Sequence, residues 1–392
     1  MKQLIALIVA VVTVAMPLFR GLAQPTSPQP AANPVGVSGE ARPAKPSPLA
    51  PVITKALEGD VREALRILET VPLDTLNSSE RTIRERLLKT FVEKQPSSLE
   101  VQDPFVAGVI RIYQDYWMRV LLHETTPAEG KEYLFRRLSG LLEQAGCHAR
   151  FRTLGKVLDE VGPRLRRKGF YSDVDLGFRI TLPYWELMVW RSQSNRTYKV
   201  KLPETTVKVK VVFMRDFVSL GWSAFATGGR AFSGGWAGRN TLYCVALIHD
   251  PASKGFETGY LAHEAQHFAD YKRFPKLEQP ELEYRAELVG LILGHENARA
   301  ALMAIASQTG STRSAPHNYA NLKVFTDISR SIFGGDLPVN DPERWRGISD
   351  QAISDAAKGL LERNTKSLVA REASRVSRIL EDPMPQPLAA PQ

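Results

Sequence analysis

The chain has 392 residues, of which 43% are apolar and 24% are charged, and its formal net charge at pH 7 is +9. These values are ordinary for a soluble globular protein, so they argue against a largely disordered chain and allow a sizeable core. The length suggests two domains.

The first residues predict a secretory signal peptide. An apolar run over residues 4–15 follows Lys2, and Gly21-Leu22-Ala23 places small residues at both positions before a cut. We therefore predict a signal peptide over residues 1–23 that is cleaved after Ala23. A retained membrane anchor is the alternative, but the run is short for a bilayer span and is followed by proline and arginine. The mature protein is then periplasmic or secreted, with no stable membrane span.

Export also shapes the expected partners and the cysteine chemistry. Cleavage removes two cations and no acid, so the net charge falls from +9 to +7. Export argues against a nucleic-acid partner, and the positive charge favours anionic envelope material or simply solubility.

Cys147 and Cys244 are the only cysteines. An oxidising compartment predicts that they pair, and two buried thiols are the alternative.

The region before residue 169 is predicted to be a disordered linker followed by helices. Residues 24–51 are rich in proline, alanine and serine, which cannot offset the entropy of ordering, whereas residues 52–168 carry helical patterns. Apolar spacing predicts a first helix over 53–68, and Asn77 with Glu80 caps a second helix through Phe91. Asp103-Pro104 begins a third helix that runs to about Leu122. Thr126 and Glu129 form the capping box of a fourth helix, which ends near Gly146. Structural support or a partner-binding surface is the expected role.

Strands are predicted next, within a second region over residues 169–382. Apolar residues alternate with lysines over 198–202 and again over 207–211, which predicts a hairpin with one buried face and one wet face. A glycine-rich stretch over 221–238 and a strand over 241–248 follow. Residues 383–392 are predicted to be a disordered tail.

A metal-binding pattern lies on the predicted helix from Tyr260 to Tyr271. In His263-Glu264-Ala265-Gln266-His267 the two histidines are one helical turn apart, so both imidazoles can bind one zinc ion. Glu264 lies beside them, at an angle that reaches a metal-activated water. A third protein ligand and an open position are needed for catalysis.

Glu283 is the predicted third ligand. It follows His267 after fifteen residues, on a helix that should begin at Gln279-Pro280, and Glu287 lies one turn further along the same face. One acid can bind zinc while the other accepts a hydrogen bond from a ligand imidazole. We prefer Glu283 to Glu287 as the ligand and place Glu281 last. A solvated acidic face is the alternative.

The pattern His-Glu-x-x-His followed by Glu-x-x-x-Glu resembles the gluzincin group of metallopeptidases, over about residues 205–300. The resemblance implies that His263, His267 and Glu283 bind zinc, that Glu264 is the general base, and that Glu287 supports a ligand histidine. It also implies that the strand over 241–248 is a sheet edge that pairs with an extended substrate. The spacing between the motifs is shorter than in thermolysin-like and aminopeptidase-N-like enzymes, and glutamate replaces the usual aspartate.

The sequence therefore predicts an α+β protein with a zincin-like catalytic region and an exported zinc metallopeptidase activity on protein or peptide substrates. His295, His317 and Tyr319 are candidates, by residue type only, to stabilise an oxyanion. Two alternatives stay open. The chain could hydrolyse an amide in cell-wall material, or it could be a non-catalytic helical scaffold or binding protein that retains a metal fold. The intact Glu264 argues against the scaffold.

Overall fold

The computed structural model describes residues 47–95, 99–177, 180–181, 184–238, 241–313, 315–335, 338–372 and 374–381. The predicted signal peptide, residues 24–46 of the predicted linker and the predicted tail lie outside these residues. The helices within the described chain are Ala50–Leu57 (α1), Val61–Thr70 (α2), Ser78–Leu87 (α3), Pro104–Leu121 (α4), Pro127–Gln144 (α5), Leu154–Arg167 (α6), Trp222–Ala226 (α7), Ala262–Arg273 (α8), Gln279–Leu293 (α9), Ala298–Ala306 (α10), Pro316–Phe333 (α11), Pro342–Arg346 (α12) and Asp350–Ala370 (α13). The strands are Tyr171–Ser172 (β1), Ile180–Thr181 (β2), Tyr184–Trp185 (β3), Met188–Lys201 (β4), Thr206–Leu220 (β5), Gly235–Ala237 (β6) and Thr241–Val245 (β7).

Five strands form one sheet in the order β1-β4-β5-β7-β6, and β2 pairs with β3 separately. β1 runs antiparallel to β4, with Tyr171 opposite Trp190. Four residues join β4 to β5, and a connection this short can only join antiparallel neighbours. The predicted α+β class is confirmed.

Contacts divide the chain into two compact units. The helical unit contains the described residues up to Gln193 together with Met214–Trp236, and the C-terminal unit contains Ser194–Phe213 and the described residues from Ala237 onward. The predicted assignment of domains and their roles stays a prediction.

The helical unit forms where the sequence places its caps. The Asp103 side chain accepts hydrogen bonds from the first turn of α4, and Thr126 and Glu129 form the predicted capping box of α5. Gly146 ends that helix at φ +79°, in the left-handed region that glycine enters without strain. Trp117, fully buried on α4, donates its indole N–H to the carbonyl of Trp185 at 2.9 Å. These helix boundaries are confirmed.

The predicted single helix over residues 53–68 is wrong, because two helices occupy that span. Gly59 separates α1 from α2 at φ +86°, and Asp60 starts the second helix by accepting the N–H of Glu63 at 3.0 Å. α1 also begins at Ala50, so the last two residues of the predicted linker are helical. A glycine with positive φ followed by a capping aspartate breaks a helix although the apolar spacing continues.

The hairpin of the C-terminal unit is confirmed. Val200 and Val209 are buried, while Lys199, Lys201, Lys208 and Lys210 are exposed, as the alternating pattern predicts. The buried face carries an aromatic cluster in which the rings of Tyr198, Phe213 and Phe256 lie 5.7–6.4 Å apart.

The predicted sheet edge over 241–248 is wrong on two counts. β7 ends at Val245, and it lies between β5 and β6. The glycine-rich stretch before it supplies β6, and the N–H of Gly238 donates to the carbonyl of Thr241 at 2.7 Å. Because β5 lies on one side of β7 and β6 on the other, β7 is not available to pair with an added substrate.

The predicted disulfide between Cys147 and Cys244 is also wrong, because the two are not joined. Cys147 is half-buried just after α5 in the helical unit, whereas Cys244 is fully buried within β7 of the C-terminal unit. An oxidising compartment permits a disulfide but does not bring two sulfur atoms together.

No single helix among the described residues is long and apolar enough to cross a membrane. Two consecutive helical segments, Gln279–Leu293 and His295–Ala306, are together long and apolar enough, but they are bent by 89° from each other.

Candidate metal centre

Helix α8 carries the His-Glu-x-x-His motif on its buried side. A π-helical turn over Phe256–Leu261 leads directly into α8, so the motif lies in the first two turns of the regular helix. Glu264 and His267 are buried and His263 is slightly exposed. The predicted helix is confirmed, and it presents both imidazoles to the same side.

Helix α9 supplies the acids. It begins at Gln279 with Pro280 in its first turn, as the sequence predicts. Glu283 is buried, while Glu287, one turn later, is partly exposed. α8 and α9 pack against each other, so the two motifs meet.

The three predicted ligands form a triangle. Nε2 of His263 lies 3.2 Å from Nε2 of His267, and Oε2 of Glu283 lies 3.1 Å from the first nitrogen and 3.4 Å from the second. A tetrahedral zinc site with bonds of about 2.0 Å separates its ligand atoms by about 3.3 Å. The observed separations match that spacing, so these residues fit a zinc ion.

Glu287 approaches the other nitrogen of His263. Its Oε1 lies 3.7 Å from Nδ1, on the side of the ring opposite the triangle. A carboxylate at this position orients a ligand imidazole and raises its basicity. The structure thus brings Glu283 to the ligand triangle and Glu287 behind it, in the order that the sequence predicts.

Glu264 is buried with both carboxylate oxygens lacking a hydrogen-bond partner among the described residues. Burial raises the pKa of Glu264 above its usual 4.5, although the two histidines of the motif oppose that shift. A buried carboxylate without partners is costly unless a ligand or water completes it. Its raised pKa makes it a stronger base than an exposed glutamate.

The charges of the triangle shift the pKa values of its members in opposite directions. Burial alone would lower the pKa of His263, but Glu283 and Glu287 outweigh burial and raise it to about 9. Burial alone would raise the pKa of Glu283, but the surrounding histidines hold it well below 4.5. In the metal-free protein the site is therefore an ion pair around an ionised Glu283.

His317 joins the site from α11. Its Nδ1 lies 3.1 Å from Oε2 of Glu283, and its ring stacks on that of His263 with centroids 6.2 Å apart. The pKa of His317 is raised: burial opposes the shift, but the Glu283 carboxylate outweighs it. The sequence identified this histidine only by residue type. Pro316 marks the start of its helix, but no local pattern links it to the motif.

His317, His263 and Glu287 also form a second group of donor atoms within 4.8 Å of one another. This group is only partly buried, and the separation of 3.7 Å between Nδ1 of His263 and Glu287 exceeds the spacing of a tetrahedral zinc site. The triangle on α8 and α9 is therefore the better metal site.

The remaining candidates lie elsewhere. His295 is exposed, and the hydroxyl of Tyr319 donates to the carbonyl of Glu381 at 3.2 Å. Glu281 is buried, but it pairs with Arg313 at 2.5 Å, and this pair removes it from the acids available to a metal.

A buried ion pair holds the two site helices together. Arg285, two residues after Glu283, donates its Nε to Oδ2 of Asp270 at 2.9 Å, and Asp270 lies three residues after His267. The same guanidinium reaches Thr365 on α13 at 2.9 Å and Glu204 in the hairpin turn at 3.2 Å. Arg285 and Asp270 are almost wholly buried. No sequence pattern links Arg285 to Asp270, because their contact depends on the packing of α8 against α9.

Replacing Arg285 with alanine should lower the free energy of unfolding of the metal-free protein by about 3–5 kcal/mol, because Asp270 is left as an unpaired buried charge. Arg273 is a matched control: it contacts the same Glu204 at 3.3 Å but is about half exposed. Arg273→Ala should cost about 0–1 kcal/mol. Urea unfolding measures both, and equal losses would show that burial of the Arg285 pair is unimportant.

Comparison of the chain with protein-family models, with curated proteins and with solved structures finds no match.

Proposed function

We propose that this protein is an exported zinc-dependent metallopeptidase with a zincin-like catalytic region. The observation that carries the proposal is the triangle of His263, His267 and Glu283, with atoms 3.1–3.4 Å apart, beside the partnerless carboxylate of Glu264. Two imidazoles and one carboxylate are a donor set that zinc accepts in catalytic sites, and three protein ligands leave a position open.

Each residue of the site then has a chemical role. Bound zinc would act as a Lewis acid on the substrate carbonyl and lower the pKa of water. Glu264 accepts a proton from the attacking water as the new C–O bond forms, and it passes that proton to the nitrogen as the C–N bond breaks. Glu287 holds the ring of His263, and His317 holds the carboxylate of Glu283.

The resemblance of the motif pair to gluzincins supports a peptide bond as the substrate, and the predicted signal peptide supports a periplasmic or extracellular location. An amide in cell-wall material would need the same water and the same base, so only the substrate distinguishes that alternative. A non-catalytic scaffold does not require a buried carboxylate without a hydrogen-bond partner, so Glu264 argues against that alternative.

Metal content and hydrolysis of two substrates test the proposal. The mature chain, purified without added metal, should contain about one zinc ion and should cleave an unstructured protein such as casein. A chelator should remove both zinc and activity, and added zinc should restore them. Cleavage of cell-wall fragments but not casein would contradict the peptidase assignment. Stoichiometric zinc with no hydrolysis of either substrate would favour the scaffold.

Zinc affinity should increase as pH rises, because His263 must lose a proton before it can bind zinc. In the metal-free protein its pKa is raised to about 9, whereas a zinc ligand must be the neutral ring. Below pH 9 each ion therefore displaces a proton, and the association constant should rise about tenfold between pH 7 and pH 8. Competition against a zinc chelator of known affinity measures this constant. An association constant that is the same at both pH values would show that His263 is not a ligand.

A further inference from the structure

One side of β4 is a free strand edge in the C-terminal unit. β5 pairs with β4 on one side, and on the other β1 pairs only with Val189 and Trp190. Among the described residues, no strand pairs with Asn195–Lys201 on that second side. A free edge presents unpaired N–H and C=O groups that can accept another extended chain.

The wet face of the same hairpin carries four lysines, Lys199, Lys201, Lys208 and Lys210, which we call the lysine face. All four are exposed, and within the described chain none of them forms an ion pair. The residues that alternate with them, including Val200 and Val209, face the core. The lysine face is thus a concentration of positive charge in which no described acid forms an ion pair with a lysine.

The register of the hairpin places two of these lysines directly opposite each other. The N–H of Leu202 donates to the carbonyl of Thr205 at 2.8 Å, so Leu202 lies opposite Thr205. Counting back along both strands places Lys199 opposite Lys208. Like charges directly opposite each other destabilise a sheet. Lysines on an edge strand keep it from pairing with other copies and aggregating, which explains the lysines on β4. The same reason does not explain the lysines on β5, because β5 lies inside the sheet.

We infer that this edge binds an acidic, extended polypeptide segment that adds as a strand beside Asn195–Lys201. Alternate side chains of an extended chain lie about 6.6–6.8 Å apart on one face, and Lys199 and Lys201 have the same spacing along β4. A segment with Glu or Asp at every second position would therefore match the lysine face, and its backbone would pair with the free edge.

Two other occupants fit less well. Thr197 and Thr206 are the neighbours of the lysines on the wet face, so no large apolar side chain is available there to enter a lipid bilayer. A second copy of this chain would bring its own lysines against these lysines. Carboxylates spaced along a polypeptide backbone satisfy both the charge and the hydrogen bonds.

The docking edge is attached to the frame of the proposed metal site. In the turn between β4 and β5, Glu204 pairs with Arg285 of α9 at 3.2 Å and with Arg273 of α8 at 3.3 Å. On the buried face, Tyr198 packs against Phe256, in the turn that leads into α8. The inference goes beyond the proposed function, because it concerns binding and does not require the metal.

Fluorescence anisotropy with the metal-free, full-length mature chain tests the inference. The probe is a labelled ten-residue peptide of alternating glutamate and threonine, and two further peptides serve as comparisons. One has the same composition with all five glutamates consecutive, and the other carries N-methyl groups at alternate residues, which remove the N–H groups of one edge. The alternating peptide should bind about tenfold more tightly than either, and more weakly as salt rises.

Matched variants locate the site. Lys199→Gln with Lys201→Gln should weaken binding of the alternating peptide by about tenfold, since each lysine contributes one exposed ion pair to the added strand. Lys358→Gln with Lys366→Gln removes the same charge from exposed positions on α13 and should change binding less than twofold. Thermal unfolding should show that both double variants are folded.

Equal binding of the N-methylated peptide would overturn strand addition. Equal loss in both double variants would overturn the lysine face as the site. Binding of vesicles with anionic lipids but not of the peptide, or concentration-dependent dimers that the lysine substitutions strengthen, would assign the edge to another occupant. Because zinc is absent throughout, none of these outcomes depends on whether the protein is a peptidase.

Discussion

Glu264→Gln should lower turnover by about 10²- to 10⁴-fold and leave zinc bound at one ion per chain. The amide has nearly the same shape as the carboxylate but cannot accept a proton from water, so the proposed base is removed while the ligands remain. Among the described residues, Glu264 belongs to no group of donor atoms that could hold a metal ion, although it lies between the two histidines of the motif on α8. Zinc content and initial rates on an unstructured protein measure the two effects separately.

A matched control is available seven residues earlier. Glu257→Gln makes the same chemical change at an exposed position in the turn before α8, and it should alter neither zinc content nor rate. If Glu264→Gln retained most of the activity, the protein would use another base or another reaction. If it lost zinc, the metal would depend on Glu264 directly, and the proposed set of three ligands would be incomplete.

The second large effect separates the two acids of α9. Glu283→Ala should abolish stable zinc binding, because Oε2 of Glu283 lies 3.1 Å and 3.4 Å from the two imidazole nitrogens and Glu283 is one of only three proposed protein ligands. Glu287→Ala should weaken zinc affinity or activity by about ten- to a hundredfold, because it removes only the carboxylate behind His263. Added zinc should refill the Glu287→Ala site but not the Glu283→Ala site.

The comparison needs a fixed pH, because protons compete with zinc for the histidines. Equilibrium dialysis at a series of free zinc concentrations gives both affinities. Stoichiometric zinc in Glu283→Ala, together with its loss in Glu287→Ala, would reverse the two roles and favour the second donor group that contains His317. No effect from either change would mean that the third ligand lies on another element and that the resemblance to gluzincins misleads.

Sequence patterns predicted the local features correctly where the physical cause is local. The capping box at Thr126, the alternation of valine and lysine in the hairpin, and the spacing of His263 and His267 each depend on residues within one element. Helical geometry alone places residues four apart on one face, whatever lies around them. For the same reason Glu283 and Glu287 were expected on one side of α9.

Two of the wrong predictions, the sheet edge and the disulfide, concern partners that are distant in sequence. Nothing within residues 241–248 shows that β6 lies beside β7, and nothing near Cys147 or Cys244 reports the distance between their sulfur atoms. The predicted helix over 53–68 is wrong for a local reason, because Gly59 adopts a positive φ and interrupts the helix although the apolar spacing continues.

The sequence by itself determined which residues have the side-chain chemistry and the helical spacing of metal ligands, because both are properties of the chain. Tertiary structure decided which atoms meet. The packing of α8 against α9, held by Asp270 and Arg285, brings Oε2 of Glu283 within 3.4 Å of both imidazoles and leaves Glu287 behind His263. His317 reaches Glu283 from a helix 33 residues beyond Glu283, because α11 packs against α9. Burial of α9 by its neighbours, which no window of sequence reports, sets these distances.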